Sequence, residues 1–172
     1  MRIGIIADVH SNLEAFQAVM REIKKENPDK IIFIGDVVGY GANPNECCEI
    51  LCRLGNDMIL GNHDAACIGR LEMGWFADHA KKAIEWTMKY LHKSHQDWLR
   101  TMQIILSCEG FYFSHGSPVE AEKFDYILES QDAARAFLWM EEKGIPVVFV
   151  GHSHVAVTFL SLIHISEPTR PY

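Results

Sequence analysis

The sequence has no long hydrophobic run. Its longest apolar stretches, Ile3 to Ala7, Lys30 to Ile34 and Pro146 to Val150, fall far short of the ~20 residues that a helical bilayer span needs. It has no recognisable signal peptide either. Met1-Arg2-Ile3-Gly4 leads at once into an apolar segment that ends at Asp8, too short for a signal-peptide core and without a small-residue cleavage site. A cytoplasmic protein that does not engage membranes is expected. Positive charge is also scarce: 16 Lys and Arg against 23 Asp and Glu leave a net charge of −7. That balance argues against stable nucleic-acid binding through phosphate contacts. Cysteine is sparse, odd in number and without a C-x-x-C pair. Cys47, Cys48 and Cys52 fall in a helical pattern with Ile50, Leu51 and Leu54. They read as small apolar side chains rather than as a disulfide framework or a thiolate metal site. There is no internal repeat and no low-complexity linker. What remains is 172 residues with 48% hydrophobic and 23% charged side chains, enough for one globular domain.

Apolar periodicity places the elements. Arg2 to Ala7 reads as a buried strand. Leu13, Phe16, Val19, Met20 and Ile23 recur at helical spacing, with Ser11 or Asn12 as N-cap. A second strand covers Ile31 to Ile34. A glycine-rich loop runs from Gly35 to Asn43, and Pro44 opens a helix to about Leu54. Met58 to Leu60 is a third strand, and Gly61 to Gly74 reads as loop. A long amphipathic helix is expected over Trp75 to Leu91 and a shorter one from Ser94. Gln103 to Ser107 and Phe111 to Ser114 form a hairpin. A helix capped by Ser130 closes at Gly144. Val147 to Val150 and Val155 to Phe159 are the last strands. Strands alternate with helices first and pair as a hairpin later, which indicates an α/β fold with a mixed sheet or two packed sheets.

Polar residues gather where strands end. The successive ends carry Asp8-Val9-His10, Gly35-Asp36, Gly61-Asn62-His63-Asp64, His115-Gly116 and Gly151-His152-Ser153-His154. Any one of these is weak, since an Asp or His after a strand is often a cap or a turn. Five of the nine histidines fall at these positions, so the set is not scattered. In α/β sheets ligands bind outside the carboxyl ends of the strands. Carboxylate and amide oxygens together with imidazoles suit Mn²⁺, Fe, Zn²⁺ or similar divalent ions. Asp36 is the natural bridging carboxylate of a two-metal site. Such pairs lie ~3.5–4 Å apart and hold a hydroxide at neutral pH.

D-x-H, G-D, G-N-H-D, H-G and G-H-x-H in this order resemble the calcineurin-like metallophosphoesterases. The wording of Asp36-Val37-Val38-Gly39-Tyr40-Gly41 and Trp75-Phe76 is similar to a bacterial and archaeal branch of small phosphodiesterases. The resemblance covers Arg2 to about Phe159. It implies a four-layer α/β/β/α sandwich of two mixed sheets, with two divalent metal ions on its rim: Mn²⁺ first, with Fe, Zn²⁺, Ni²⁺ or Co²⁺ as alternatives. By the family pattern one ion takes Asp8, His10, Asp36 and His154. The other takes Asp36, Asn62, His115 and His152. His63 faces the substrate as proton donor or phosphoryl stabiliser, and Asp64 orients it. The implied activity is hydrolysis of a small phosphate ester, such as a nucleotide, by in-line attack of a hydroxide shared by the two ions.

Charge narrows the reaction. Two divalent ions less Asp8, Asp36 and a hydroxide leave about one positive charge. Phosphomonoester dianions generally need added arginines. Gly39-Tyr40-Gly41 and Asp64 stand where related protein phosphatases and dinucleoside tetraphosphatases carry Arg and where the phosphatases carry Glu. A phosphodiester is favoured, although Arg70 or Lys123 can reach the site from loops. The alternatives are a nucleotide pyrophosphatase, a phosphomonoesterase or protein phosphatase, and a non-catalytic scaffold of the retromer type. The completeness of the motif set favours an enzyme.

The end of the chain is of another kind. Leu160-Ser161-Leu162-Ile163-His164-Ile165-Ser166-Glu167-Pro168-Thr169-Arg170 resembles the translation of a transposase adaptor from sequencing libraries. Residues 1–159 are therefore expected to be the phosphoesterase domain, incomplete at its C-terminus and lacking its last strands. Residues 160–172 are expected to be a non-native tail, and His164 is given no chemical role.

Overall fold

A computed structural model describes residues 1–55 and 57–161. All but Leu160 and Ser161 of the expected adaptor-derived tail lie outside the described residues. Strands β1 (Ile3–Ile6), β2 (Lys30–Ile34) and β3 (Met58–Ile59) form a parallel sheet in that order. Strands β4 (Ile105–Cys108), β5 (Phe111–Ser114) and β6 (Val148–Val150) form a second sheet. There β4 pairs antiparallel and β6 parallel to β5.

Alternation along β2 divides the core. Phe33 points into a large cluster with Phe16, Met20, Leu51, Ile84 and Leu99. Ile32 and Ile34 point the other way, onto Phe113 and Phe149 of the second sheet. The two sheets thus face each other across a small apolar layer. Helices α1 (Leu13–Lys25), α2 (Pro44–Cys52), α4 (Asp78–Tyr90) and α5 (Lys93–Arg100) bring the large cluster to the outer face of the first sheet. Helix α6 (Ser130–Lys143) covers the second sheet, with Trp139 edge-on to Tyr112 at 4.9 Å. The result is the expected α/β/β/α layering. No described helix is long and apolar enough to cross a membrane.

The local signals mostly hold. Asn12 is the N-cap of α1 and accepts from the Ala15 N–H at 3.1 Å. Pro44 opens α2, and Gly144 ends α6 in the left-handed region at φ 65°. Two expectations fail. The segment after β3 is not all loop, because Asn62–Cys67 forms a wholly buried helix, α3. Val155 to Phe159 forms no strand. Apolar alternation alone does not make a strand, which needs a ladder partner, and among the described residues this segment pairs with none. The caps also shift by a residue or two: Glu129 precedes α6 and His92 precedes α5. Cys47 and Cys48 are buried as expected and Cys67 is buried too, but Cys52 is exposed. Burial pushes the Cys47 and Cys67 thiols up to about 12, so they behave as inert apolar side chains.

Candidate metal centre

The ends of β1, β2, β3, β5 and β6 meet on one rim, and each delivers its polar residues there. Asp8 and His10 follow β1. Asp36 follows β2. Asn62, His63 and Asp64 form the first turn of α3. His115 follows β5, and His152 and His154 follow β6. Three groups have donor atoms within 4.8 Å of one another: Asp8, His10 and His154; His10, Asp36 and His63; Asp36, His115 and His152.

Asp36 is at the middle. It is 1% exposed. Its Oδ1 accepts the His63 N–H at 2.9 Å, near the start of α3, where the helix favours negative charge. Its Oδ2 lies 3.2 Å from His115 Nε2 and 3.6 Å from His10 Nε2. One oxygen therefore sits between the histidines of two separate groups. Asp8 Oδ1 lies 3.3 Å from His154 Nε2 and 3.9 Å from His10 and His115 Nε2. The His152 N–H points at both Asp8 oxygens, at 3.1 and 3.2 Å.

The backbone sets the histidine tautomers. His115 Nδ1 lies 2.7 Å from the Ile34 carbonyl, and His10 Nδ1 lies 3.2 Å from that of Val38. A carbonyl only accepts, so each Nδ1 carries a proton, and Nε2 is the atom that offers a lone pair when the ring is neutral. His115 Nε2 then faces Asn62 Oδ1 at 3.1 Å as well as Asp36. His10 Nε2 faces His154 Nε2 at 3.1 Å. Lone pairs and carboxylate oxygens converge with few hydrogens between them. Such a donor set fits divalent cations.

The titration directions carry the same message. Burial alone would lower His115, but Asp36 and then Asp8 raise it to about 9. That second proton sits on Nε2 and supplies positive charge beside the carboxylates, and a divalent ion would take its place. Burial pulls Asp36 upward, yet His115 and His10 hold it below the usual carboxylate range. Burial raises Asp8 against the pull of His115. At His63 and His152 burial outweighs the pull of Asp36 and pushes both down to about 4.

Backbone strain is concentrated here. Asp8, His10, Ser11, Asp36, Tyr40, His152 and His154 all have positive φ, between 47° and 67°. Such residues cost of order 1–3 kcal/mol each and persist where surrounding contacts over-determine them. Gly39 has φ +98°, and a Cβ there would overlap His63 Nδ1.

Asp64 is bonded to backbone on three sides. Its Oδ2 accepts the N–H groups of Asp36 at 2.8 Å and Gly61 at 3.1 Å, and its Oδ1 that of Val38 at 3.0 Å. It clamps the loops after β2 and β3 rather than the His63 ring. Among the described residues His63 Nδ1 has no hydrogen-bond partner. Instead the ring is held by Tyr40 at 4.6 Å, His10 at 4.7 Å and Phe76 at 5.1 Å between centroids. The cations named as alternatives lie elsewhere. Arg70 Nη1 donates to the Met102 carbonyl at 3.5 Å, and Lys123 pairs with Glu120 at 2.8 Å.

Two side chains at the centre had no signal as site residues. Tyr126 stacks flat on His152, at 3.8 Å and 13°. Tyr40 meets both His10 and His63. Tyr126 belongs to no strand-end motif, and Tyr40 stood only as loop wording.

The scaffold is a two-sheet α/β sandwich with a cation-binding donor set of aspartates and histidines on one rim, and the site rather than the fold carries the functional argument. The chain matches the calcineurin-like phosphoesterase family model over residues 1–166. It belongs to that family. It is similar to an uncharacterized protein of Methanocaldococcus jannaschii, 36% identical over 157 residues, or 89% of this chain and 62% of that one. It is also similar to the crystal structure of a metallophosphoesterase from Sphaerobacter thermophilus. There the TM-score is 0.76 and the identity 39%, over 90% of this chain and 61% of that one. A hypothetical protein from Pyrococcus horikoshii shares the fold at TM-score 0.72 and 24% identity, over 87% and 68% of the two chains. The chain thus spans about 62% of the archaeal relative and 61% of the Sphaerobacter protein.

Proposed function

We propose that this protein is a metal-dependent phosphoesterase that acts on phosphodiesters. The observation that carries this reading is the convergence of His10 and His115 Nε2 lone pairs with the carboxylates of Asp8 and Asp36. Asp8, His10, Asp36 and His154 would hold one divalent ion. Asp36, Asn62, His115 and His152 would hold the other. Manganese is the ion we assign, because the set mixes hard oxygens with imidazoles. The bound ions supply Lewis-acid charge neutralisation and a water acidic enough to attack at neutral pH.

The chain's own residues do the rest. Asp36 keeps the two halves of the site in register through Oδ2 while Oδ1 anchors α3. Asp64 fixes the backbone that presents Asp36 and His63. Burial keeps the His63 ring neutral near pH 7, so it acts on the leaving oxygen as hydrogen-bond donor, and as acid only where the substrate's negative charge restores its second proton. Among the described residues no Lys or Arg forms an ion pair with Asp8 or Asp36. Without a guanidinium fork for a dianion, the singly charged diester is the better match.

The test compares kcat/KM for bis(p-nitrophenyl) phosphate and p-nitrophenyl phosphate under saturating Mn²⁺. The diester is expected to win. A clear monoester preference overturns the substrate assignment, and no turnover of either ester overturns the hydrolase reading.

A further inference from the structure

If no cation other than the metals meets the phosphate, something else must hold the oxygens that the metals leave free. Two tyrosines stand where that contact is needed. Tyr40 is 46% exposed and Tyr126 52% exposed, yet each ring is fixed against the histidines of the centre. Tyr40 lies edge-on to His10 at 4.8 Å and tilted to His63 at 4.6 Å. His79 stacks on its other side at 5.9 Å and 22°. Tyr126 lies flat on His152 at 3.8 Å. The two rings therefore approach from opposite halves of the site: Tyr40 on the His10 side, Tyr126 on the His115 and His152 side.

Neither phenol hydroxyl has a hydrogen-bond partner among the described residues. Both rings pack an apolar face and leave a polar tip in the open, as tyrosines do at wet interfaces.

We infer that Tyr40 and Tyr126 are substrate-contacting residues, a pair of phenol donors that hydrogen-bond the phosphoryl oxygens of a phosphodiester from the two sides of the metal centre. The inference rests on the phosphodiester reading above and deepens it. A neutral O–H suits a monoanion, because it holds one oxygen without adding the charge a dianion requires. Fixed rings lose little freedom when the contact forms, so most of each hydrogen bond is retained in binding.

The experiment uses the manganese-loaded protein and its Tyr40→Phe and Tyr126→Phe variants. Phe keeps each ring on its histidine and removes only the hydroxyl. Three quantities are measured: metal content per chain, the Kd of dimethyl phosphate by calorimetry, and kcat/KM for bis(p-nitrophenyl) phosphate. Each variant is expected to keep its metal. Each should bind dimethyl phosphate about tenfold more weakly, and the double variant more weakly still, since a hydrogen bond to a charged group is worth roughly that factor or more. Turnover of the diester should fall in parallel through KM.

Binding of dimethyl phosphate by both variants as tightly as by wild type overturns the inference, as does its failure to bind wild-type protein. Loss of metal in the Phe variants also overturns it, because the tyrosines would then act through the ligands. Weaker binding in the variants without any turnover by wild type would leave the tyrosine contact standing and sink the hydrolase reading instead.

Discussion

The rim and the groove between α6 and β6 are built by opposite rules. On the rim, polar side chains are buried and matched over long stretches of sequence. Asp64 reaches back to Asp36 and Val38, and the His152 N–H reaches Asp8. The strained backbone is held by these contacts. In the groove, a cavity of about 510 Å³ is lined by Phe137, Met140, Val148, Phe149 and Val157. Nearby Leu138 and Val155 are each 63% exposed. Apolar contacts are non-directional and tolerate looseness, whereas a buried polar group must find its partner or lose several kcal/mol. Substitutions should therefore have large, specific effects on the rim and small ones along α6.

The sharpest contrast comes from Asp36→Asn. It neutralises the oxygen between His10 and His115, so both metal sites and all activity should be lost together. Two ions per chain at unchanged affinity would break the account of Asp36. His63→Ala comes next. Metal content should be nearly unchanged while kcat falls ~10²–10⁴-fold, the range of general acid catalysis. A smaller loss with nitrophenolate than with alkoxide leaving groups would mark a proton donor. An equal loss with both would mark charge stabilisation, and loss of one metal would make His63 a ligand.

Asp64→Ala tests the clamp. It strands three backbone N–H groups in the core, at ~1–3 kcal/mol each, so thermal unfolding should shift well down. A variant that melts like wild type and loses only kcat would restore the expected orienting role. The smallest effect belongs to the exposed side of α6. Leu138→Gln, on an exposed face of α6, should change stability by no more than about 0.5 kcal/mol. A larger loss, read by denaturant unfolding, would show that the α6 face is packed as tightly as the rim.

The rim was the most legible part of the sequence, because each apolar run ends abruptly in Asp, Asn or His. Strand ends are local, and the parallel sheet aligns them. Helix α3 was not legible. Asn62–Cys67 is too short to show a helical period, and its clearest mark is Asp64 three residues after Gly61, receiving that residue's N–H. That Asp64 accepts from the backbone of Asp36, Val38 and Gly61 was not legible, because spacing tells which residues are neighbours, not which atoms accept. The strand expected at Val155 to Phe159 failed for a related reason: alternation describes a face, and a strand also needs a partner. Tyr126 gave no signal, since only the packed fold brings it to His152.

The central claim is that lone pairs and carboxylates on the rim require divalent cations. The most direct test is a calorimetric titration of metal-free protein with Mn²⁺ at several pH values. Two ions per chain are predicted. His115, raised to about 9, must give up its proton to bind. Affinity should therefore rise with pH, by up to about tenfold per unit for one displaced proton, and level off above about pH 9. Fewer than two ions, or an affinity that does not change between pH 6 and pH 9, would contradict it.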